Sequence, residues 1–250
     1  MVALDQVIDV GWGDPLVIGC VALSVLLLAA FGLAERRAGP YALVPADVMR
    51  NTSFTATCAA ILLMSSTFFA ALFYVPRYLQ TELNYTAFEA GLGLIPFMGV
   101  FALTSFIAGP LYNRTGAKPL VTVGAACIVL GPFLIGLGIG ANSAYTSIVP
   151  GLVLLGIGIG LFYSAATTSA VTSVDESRSS LAGGIIYMFQ IAGGSVGLAL
   201  TTTVFANQSG LISGLHAGFR LDTALALAGF LVTLFFVGGR LGRKGRETAG

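Results

Sequence analysis

Long stretches without a charged side chain are the dominant feature of this sequence of 250 residues. The longest of them runs from Pro119 to Val174, well beyond the roughly 20 apolar residues that a helix needs to cross a bilayer. Charged residues make up 9% of the chain, whereas soluble domains carry roughly 25%. Because continuous apolar runs favour helices over alternating strands, the sequence predicts an all-α membrane protein.

Charged residues and polar turns divide the chain into seven predicted transmembrane helices. The polar stretch from Ala141 to Ala144 splits the longest run into two spans, and the stretch from Asn207 to Gly210 ends the sixth. The predicted spans are residues 15–34, 51–76, 90–113, 119–140, 146–170, 181–206 and 221–239.

The basic residues predict how these spans cross the membrane, since cytoplasmic loops are enriched in Lys and Arg. Ten of the twelve basic residues fall in one set of alternate loops, and only Arg77 and Arg220 fall in the other. The N-terminus is therefore predicted outside and the C-terminus in the cytoplasm. No signal peptide is expected, because the first apolar run starts late and follows an acidic flank.

These spans suggest a division into five parts. They are an external N-terminal segment, a linker transmembrane helix, a cytoplasmic loop, a six-helix bundle and a cytoplasmic tail, at residues 1–14, 15–34, 35–50, 51–240 and 241–250. The bundle begins its first three helices from one side and its last three from the other. Two such units of opposite topology form the 3+3 inverted repeat of many secondary transporters.

Pairs of glycines four residues apart recur in the later spans. Such spacing places both glycines on one helix face, where neighbouring backbones can approach closely. We therefore predict helix packing at these pairs, and not a nucleotide-binding loop, for Gly136 with Gly140, Gly156 with Gly160, and Gly193 with Gly197.

A short loop carries the most specific motif. Residues 109–120 read GPLYNRTGAKPL, which resembles the signature loop G-x-L-x-D-R-x-G-x-R/K-x-L of the major facilitator superfamily at every fixed position except one. The two glycines allow a tight turn, and the two cations anchor the loop on the cytoplasmic side. The departure is an Asn in place of Asp, which removes an ion pair. The motif residues are Gly109, Asn113, Arg114, Gly116 and Lys118.

Further stretches are similar to the fourteen-helix drug:proton antiporters of that superfamily, the EmrB/QacA-like branch. They include Tyr78–Gln80, Asn84-Tyr85 with Ala90-Gly91, and residues 31–37. The resemblance covers only the second half of a family member, namely a linker helix and the C-terminal bundle. It implies that the antiporter motif and the proton-carrying acid belong to an N-terminal bundle outside this sequence.

The resemblance also suggests which side chains face a central cavity. Hydroxyl and aromatic groups at mid-depth suit lipophilic and variable substrates. Interhelical packing explains Tyr163, Tyr187 and Gln190 equally well, and it is the favoured interpretation for the other three residues. The candidate cavity-lining residues are Ser66, Phe69, Tyr163, Thr167, Tyr187 and Gln190.

No ionisable side chain is predicted at the middle of the membrane. Glu89 and Asp222 are expected at external helix ends, and His216 is expected in an external loop. Intramembrane ionisable groups mark proton pathways, so a coupling site is not expected in these residues. The sequence offers no metal-ligand spacing, and no metal or other cofactor is predicted.

The sequence therefore suggests the C-terminal half of a proton-coupled multidrug or metabolite exporter in the cytoplasmic (inner) membrane. The expected partners are the lipid bilayer, a lipophilic substrate, protons, and an N-terminal bundle or a second copy of the chain. A net charge of +1 gives no sign of nucleic-acid binding. The alternatives are a non-transporting membrane protein and, less favoured, a seven-helix receptor. An enzyme is not expected, because no catalytic constellation lies at depth.

Overall fold

The computed structural model describes residues 51–140 and 143–237, together with residues 15, 18, 19, 22, 23, 26, 29 and 30. These eight isolated residues are helical and fall within the predicted linker span. The predicted segments 1–14, 35–50 and 241–250 lie outside the described residues.

Seven α-helices make up the described bundle. They are α1 Thr52–Thr81, α2 Ala87–Leu92, α3 Ile95–Thr115, α4 Ala117–Gly138, α5 Val149–Val171, α6 Ser179–Ala206 and α7 Leu211–Phe236. Two 3₁₀ turns, Tyr145–Ser147 and Glu176–Arg178, precede α5 and α6. The described part of the chain contains no strand, and six of its helices are long and apolar enough to span a membrane when α2 and α3 count as one. The predicted all-α membrane fold is thus confirmed.

Successive helices run in opposite directions, which gives the bundle two ends. One end carries Gly116, between α3 and α4, and we call it the Gly116 end. The other carries the turn at Tyr145 and is called the Tyr145 end. At the Gly116 end, the Asn51 side chain caps α1 and donates a hydrogen bond to the Ser173 carbonyl, 3.0 Å away. At the Tyr145 end, the Tyr145 hydroxyl donates to the Gly93 carbonyl at 2.9 Å.

The two three-helix units of the bundle are interlocked. The first helix of each unit packs mainly against the later helices of the other unit. Thus α1 packs against α6 and α7, and α5 packs against α3 and α4. The α4–α7 contact completes the bundle. Because the first helix of each unit finds its main packing partners in the other unit, the six spans form one packed body.

Two of the three predicted glycine pairs hold helix–helix contacts. A Cβ on Gly156 would lie 2.6 Å from the Phe97 carbonyl oxygen of α3, and one on Gly193 would lie 2.6 Å from the Leu62 Cα of α1. Their partners Gly160 and Gly197 meet the same two helices. In the third pair, Gly136 has only ordinary contact, at 3.4 Å, with Phe219 of α7. The glycines of α6 therefore bring α6 against α1.

The seventh predicted span was placed wrongly. It was predicted to begin at residue 221, but α7 begins at Leu211 and includes His216, Arg220 and Asp222. The error arose because the prediction ended each span at a charged residue, whereas long cationic side chains can lie along a helix end with their heads in water. Asp222 lies 11 residues into α7, about 16 Å along the helix axis at 1.5 Å per residue.

Glu89 is placed as predicted, at a helix end. It occupies the third position of α2, where its carboxylate accepts a hydrogen bond from the Thr86 backbone N–H at 2.8 Å. The Thr86 side chain in turn accepts from the Glu89 N–H, and this capping box starts the short helix. Glu89 therefore has a structural partner at the Tyr145 end.

Candidate functional site

Helices α1 and α5 meet through a pair of hydroxyl groups. The Ser65 Oγ and Tyr163 Oη atoms lie 2.8 Å apart, and both side chains are buried. Ser65 also donates to the Ile61 carbonyl of its own helix, so Tyr163 is the donor when both bonds are made. This bond fixes Tyr163 within the bundle.

The six predicted cavity-lining residues do not lie on one surface. Ser66 is fully buried, and Tyr163 is buried against Ser65. Phe69 is half-buried and packs against α6 at Gly194. Thr167 on α5 and Gln190 on α6 are partly exposed, while Tyr187 of α6 is 63% exposed. The structure thus separates a buried set on α1 and α5 from an outward-facing set.

The outer surfaces of the bundle are mostly apolar. The exposed faces of α4 and α7 carry large apolar side chains, such as Leu130, Leu137 and Phe235, and α6 exposes Met188, Ile191, Val196 and Leu200. Among these apolar side chains of α6, Tyr187 is exposed and Gln190 is partly exposed. An amide exposed to hydrocarbon lacks hydrogen-bond partners, which is costly in a membrane. Gln190 therefore favours water or a polar group beside this part of α6.

The structure places an acid inside the bundle that the sequence analysis assigned to a helix end. Asp222 is fully buried where α7 meets α1 and α6. The Ser66 hydroxyl of α1 donates a very short hydrogen bond to Asp222 Oδ1, and the Thr201 hydroxyl of α6 lies 3.0 Å from the same atom. Within the described part of the chain, Oδ2 has no hydrogen-bond partner. The expectation of a membrane interior without ionisable groups is therefore wrong.

A sequence signal for this position exists. Gly214, Gly218 and Asp222 are spaced four apart, so they share the face of α7 that meets α1 and α6. His216 and Arg220 are offset by two residues and instead line a groove of about 370 Å³ between α4 and α7. The prediction of His216 in a loop is also wrong. If the helix face of each charged residue had been considered together with its position along the chain, Asp222 would have been predicted to face inward and Arg220 to face outward.

A narrow void, with no room for a water molecule, lies beside Asp222 on the side toward the Tyr145 end. Small residues open it on α7, and aromatic rings enclose it; its lining comprises Tyr74, Thr201, Phe205, Gly214, Leu215, Gly218, Phe219 and Asp222. At its far end the Arg77 guanidinium lies over the Phe205 ring, 5.3 Å from the centroid. Beside it, the Tyr74 hydroxyl is 2.7 Å from Thr202 Oγ1. Polar groups therefore extend beyond Asp222 in this direction.

On the other side of Asp222 the packing is apolar and tight. Ala226 and Met64 are fully buried, and a Cβ on Gly229 would lie 2.8 Å from Met64 Cγ. Asp222 is therefore closely packed on the side toward the Gly116 end.

The signature loop places its two cations differently. Gly116 has φ of +81°, a backbone region that favours glycine, and it forms the turn between α3 and α4. Asn113 and Arg114 are exposed, and a Cβ on Gly109 would meet nothing within 4 Å. Lys118, however, is only 7% exposed and reaches across to α7. Arg114 and Lys118 therefore do not form one exposed basic cluster.

Lys118 caps the C-terminal end of α7. Its ammonium group donates to the carbonyls of Thr233, Leu234 and Val237, at 3.1 Å for Thr233 and 2.8 Å for Val237. A cation is favourable there because the last carbonyls of a helix carry a partial negative charge. The loop motif thus joins the start of α4 to the end of α7.

Metal binding receives no support from the described residues, which contain no group of three or more His, Cys, Asp or Glu side chains placed to hold an ion. The two described cysteines, Cys58 and Cys127, are not paired. Among the described residues, the polar groups that converge in the bundle are hydroxyls, the Asp222 carboxyl, the Lys118 ammonium and backbone carbonyls.

Comparison with known proteins gives a family match across the chain. The family described as Major Facilitator Superfamily matches residues 10–198 and 55–249. The puromycin resistance protein pur8 of Streptomyces alboniger is 30% identical over 238 residues, which cover 89% of this chain and 47% of that protein.

Two further relatives are similar over most of the chain. The tetracenomycin C resistance and export protein of Streptomyces glaucescens is 29% identical, covering 80% of this chain and 37% of that protein. The multidrug resistance protein Stp of Mycobacterium tuberculosis is 27% identical, covering 79% of this chain and 36% of that protein. The chain therefore spans less than half the length of the curated relatives it matches.

Proposed function

Because the chain belongs to the Major Facilitator Superfamily, we propose that it forms one half of a proton-coupled exporter of lipophilic small molecules. Residues 51–240 would provide the C-terminal six-helix bundle and residues 15–34 the linker helix. This bundle rocks against a second, N-terminal bundle, so that a site between them opens alternately to each side of the membrane. The names of the relatives, which refer to resistance to antibiotics and drugs and to export, support this assignment.

The proposal places the protein in the cell (inner) membrane with the Gly116 end in the cytoplasm. The N-terminal segment 1–14 then lies outside, and the loop 35–50 and the tail 241–250 lie inside. The distribution of basic residues supports this orientation. It puts Lys118 on the cytoplasmic side and the void beside Asp222 on the external side.

The observation that carries the proposal is a pair of polar side chains on the outer surface of α6. Tyr187 is exposed and Gln190 is partly exposed on a membrane-spanning helix whose other exposed side chains include Met188, Ile191, Val196 and Leu200. A surface that faces lipid on all sides would not favour an amide there. A second bundle with a solvated site between the halves would place water and substrate against these groups.

Cysteine labelling tests this directly. We expect Gln190→Cys, in a background without the native cysteines, to react with a membrane-impermeant thiol reagent when the N-terminal bundle is present. Leu130→Cys, at a matched depth on the apolar outer face of α4, should not react. Protection of Gln190→Cys by a lipophilic substrate would locate the path. Equal reactivity at both positions would contradict the assignment of the α6 surface.

Transport itself requires a second measurement. Efflux of a fluorescent cationic dye from proteoliposomes under an imposed pH gradient should need both bundles, since one bundle supplies one wall of the site. Residues 1–250 alone should show none. Saturable, gradient-driven efflux by residues 1–250 alone would overturn the half-transporter proposal in favour of a self-sufficient, self-associating carrier.

A further inference from the structure

We propose that Asp222, Ser66 and Thr201 form a proton-binding site inside this bundle. The role of this site in transport rests on the proposed function, because it supplies an ion-coupling group within this half of the exporter. The existence of the site rests on geometry alone.

The first argument is the uneven hydrogen bonding of the carboxyl group. Both hydroxyl partners are directed at Oδ1, while Oδ2 is buried without a partner among the described residues. A buried carboxylate needs its negative charge compensated, and two neutral hydroxyls on one oxygen compensate it incompletely. The arrangement therefore leaves room for a proton on the carboxyl group.

The second argument is that the hydroxyls can serve both protonation states. Thr201 Oγ1 lies 3.0 Å from Asp222 Oδ1 and also 3.0 Å from the Gly197 carbonyl oxygen, but a hydroxyl has one hydrogen. When Asp222 is ionised, Thr201 and Ser66 both donate to it. When Asp222 carries a proton on Oδ1, that O–H donates to Thr201 Oγ1, the Thr201 hydrogen turns to the Gly197 carbonyl, and Ser66 still donates to Oδ1. One proton is gained or lost, and no other group changes charge.

The third argument is the absence of a competing cation in the site. Asp222 is contacted by side chains of α1 and α6, and its hydrogen-bond partners in the described chain are both hydroxyls. The other titratable or charged groups on its own helix and on the helices packed against α7 lie elsewhere. They are Cys58, Tyr74, Tyr78 and Arg77 on α1, Lys118 and Cys127 on α4, Tyr187 on α6, and His216 and Arg220 on α7. Of these, only Tyr74 lines the same void.

The fourth argument is that the site is enclosed in this conformation. The void beside Asp222 is lined by Gly214 and Gly218 and has no room for a water molecule. On the opposite side, toward the Gly116 end, Ala226 and Met64 are fully buried. Exchange of a proton with Asp222 therefore requires the packing around the carboxyl group to open.

Infrared difference spectroscopy of the 250-residue chain in lipid nanodiscs tests the site without any transport. We expect a carboxylic-acid C=O band that is lost as the bath pH is raised and is absent from Asp222→Asn. Asp175→Asn, which alters an exposed carboxyl group at the Gly116 end, should retain the band. A band that persists in Asp222→Asn, or no band that responds to pH, would overturn the proposal and leave Asp222 as a fixed structural clamp.

A second pair of variants keeps the test decisive if Asp222→Asn does not fold. Thr201→Val removes a hydrogen-bond partner of the carboxyl group and should shift the frequency of the band. Thr203→Val is the matched control, because the Thr203 hydroxyl bonds only to the Ala199 carbonyl of its own helix. If the C=O band had the same frequency in Thr201→Val and Thr203→Val, the proposed site would be contradicted.

Transport measurements then separate this inference from the proposed function. In the complete two-bundle exporter, Asp222→Asn should lose dye efflux driven by a pH gradient. If the unaltered exporter moves no dye, the proposed function fails while the infrared result still stands. If it moves dye and Asp222→Asn moves it equally with the same pH dependence, Asp222 has no coupling role.

Discussion

Replacing Lys118 with Met tests whether the signature loop stabilises the bundle through α7. Lys118 sits in the first turn of α4, where a cation is unfavourable for its own helix dipole. Its ammonium group instead contacts three carbonyls at the end of α7, and two of these bonds are buried. Met keeps an unbranched side chain that is one heavy atom shorter, and it removes the charge and the donors.

The expected loss follows from these contacts. Hydrogen bonds to a charged group contribute about 1.5–3 kcal/mol each, and a cation at a helix C-terminus contributes up to about 2 kcal/mol. The three bonds share one ammonium group, and some freed carbonyls can find water at the membrane surface, so the terms do not add. We expect Lys118→Met to lower the free energy of unfolding by about 3 kcal/mol. At about 2–4 °C per kcal/mol for a chain of this size, the Tm should fall by about 6–12 °C.

Thermal unfolding of the detergent-solubilised chain, followed by circular dichroism, measures this change. Arg114→Met is the matched control, since it removes a cation from the same loop at an exposed position. The Arg114 variant should unfold within about 1 °C of the unaltered chain, because exposed charges contribute little. Equal shifts in both variants, or a Lys118 shift below about 2 °C, would refute the reasoning.

Two other predictions use the packing and the topology. Gly193→Ala should lower stability by about 1–3 kcal/mol, because its Cβ would meet the α1 backbone at Leu62, whereas Gly183→Ala faces open space and should stabilise its helix by about 0.5–1 kcal/mol; chemical unfolding of both variants measures the difference. In intact cells, Gln208→Cys at the Tyr145 end should react with an impermeant thiol reagent and Glu176→Cys at the Gly116 end should not, and the reverse pattern would invert the proposed orientation.

Most of the fold could be predicted from the uncharged runs. Hydrocarbon cannot satisfy backbone polar groups, so a long apolar run must form a helix, and its length then gives the span. The predicted span 181–206 and the observed helix Ser179–Ala206 differ by two residues at one end. The start of α7 was missed by ten residues, since hydropathy averages over all helix faces and does not separate an outward Arg220 from an inward Asp222.

The site was harder to predict because it depends on distant pairs. Lys118 and Val237 are 119 residues apart, and Ser66 and Asp222 are 156 apart. The sequence analysis selected Ser66 and Lys118 for other reasons, a cavity wall and a topology anchor. Neither partner could be inferred, because a single sequence shows which face a residue occupies but not which helix meets that face.

The interlocked packing of α1 also determines when its contacts can form during biosynthesis. Tyr74 and Ser66 enter the membrane early, but their partners Thr202 and Asp222 follow 128 and 156 residues later. At about 5–20 residues per second, the ribosome needs roughly 8–30 s to deliver Asp222 after Ser66. During that interval α1 holds polar side chains without their final partners. The hydrogen bonds of α1 are therefore complete only when α7 has been inserted. A chain released before α7 is made would leave Ser66 without its Asp222 partner, and we expect membrane proteases to degrade it.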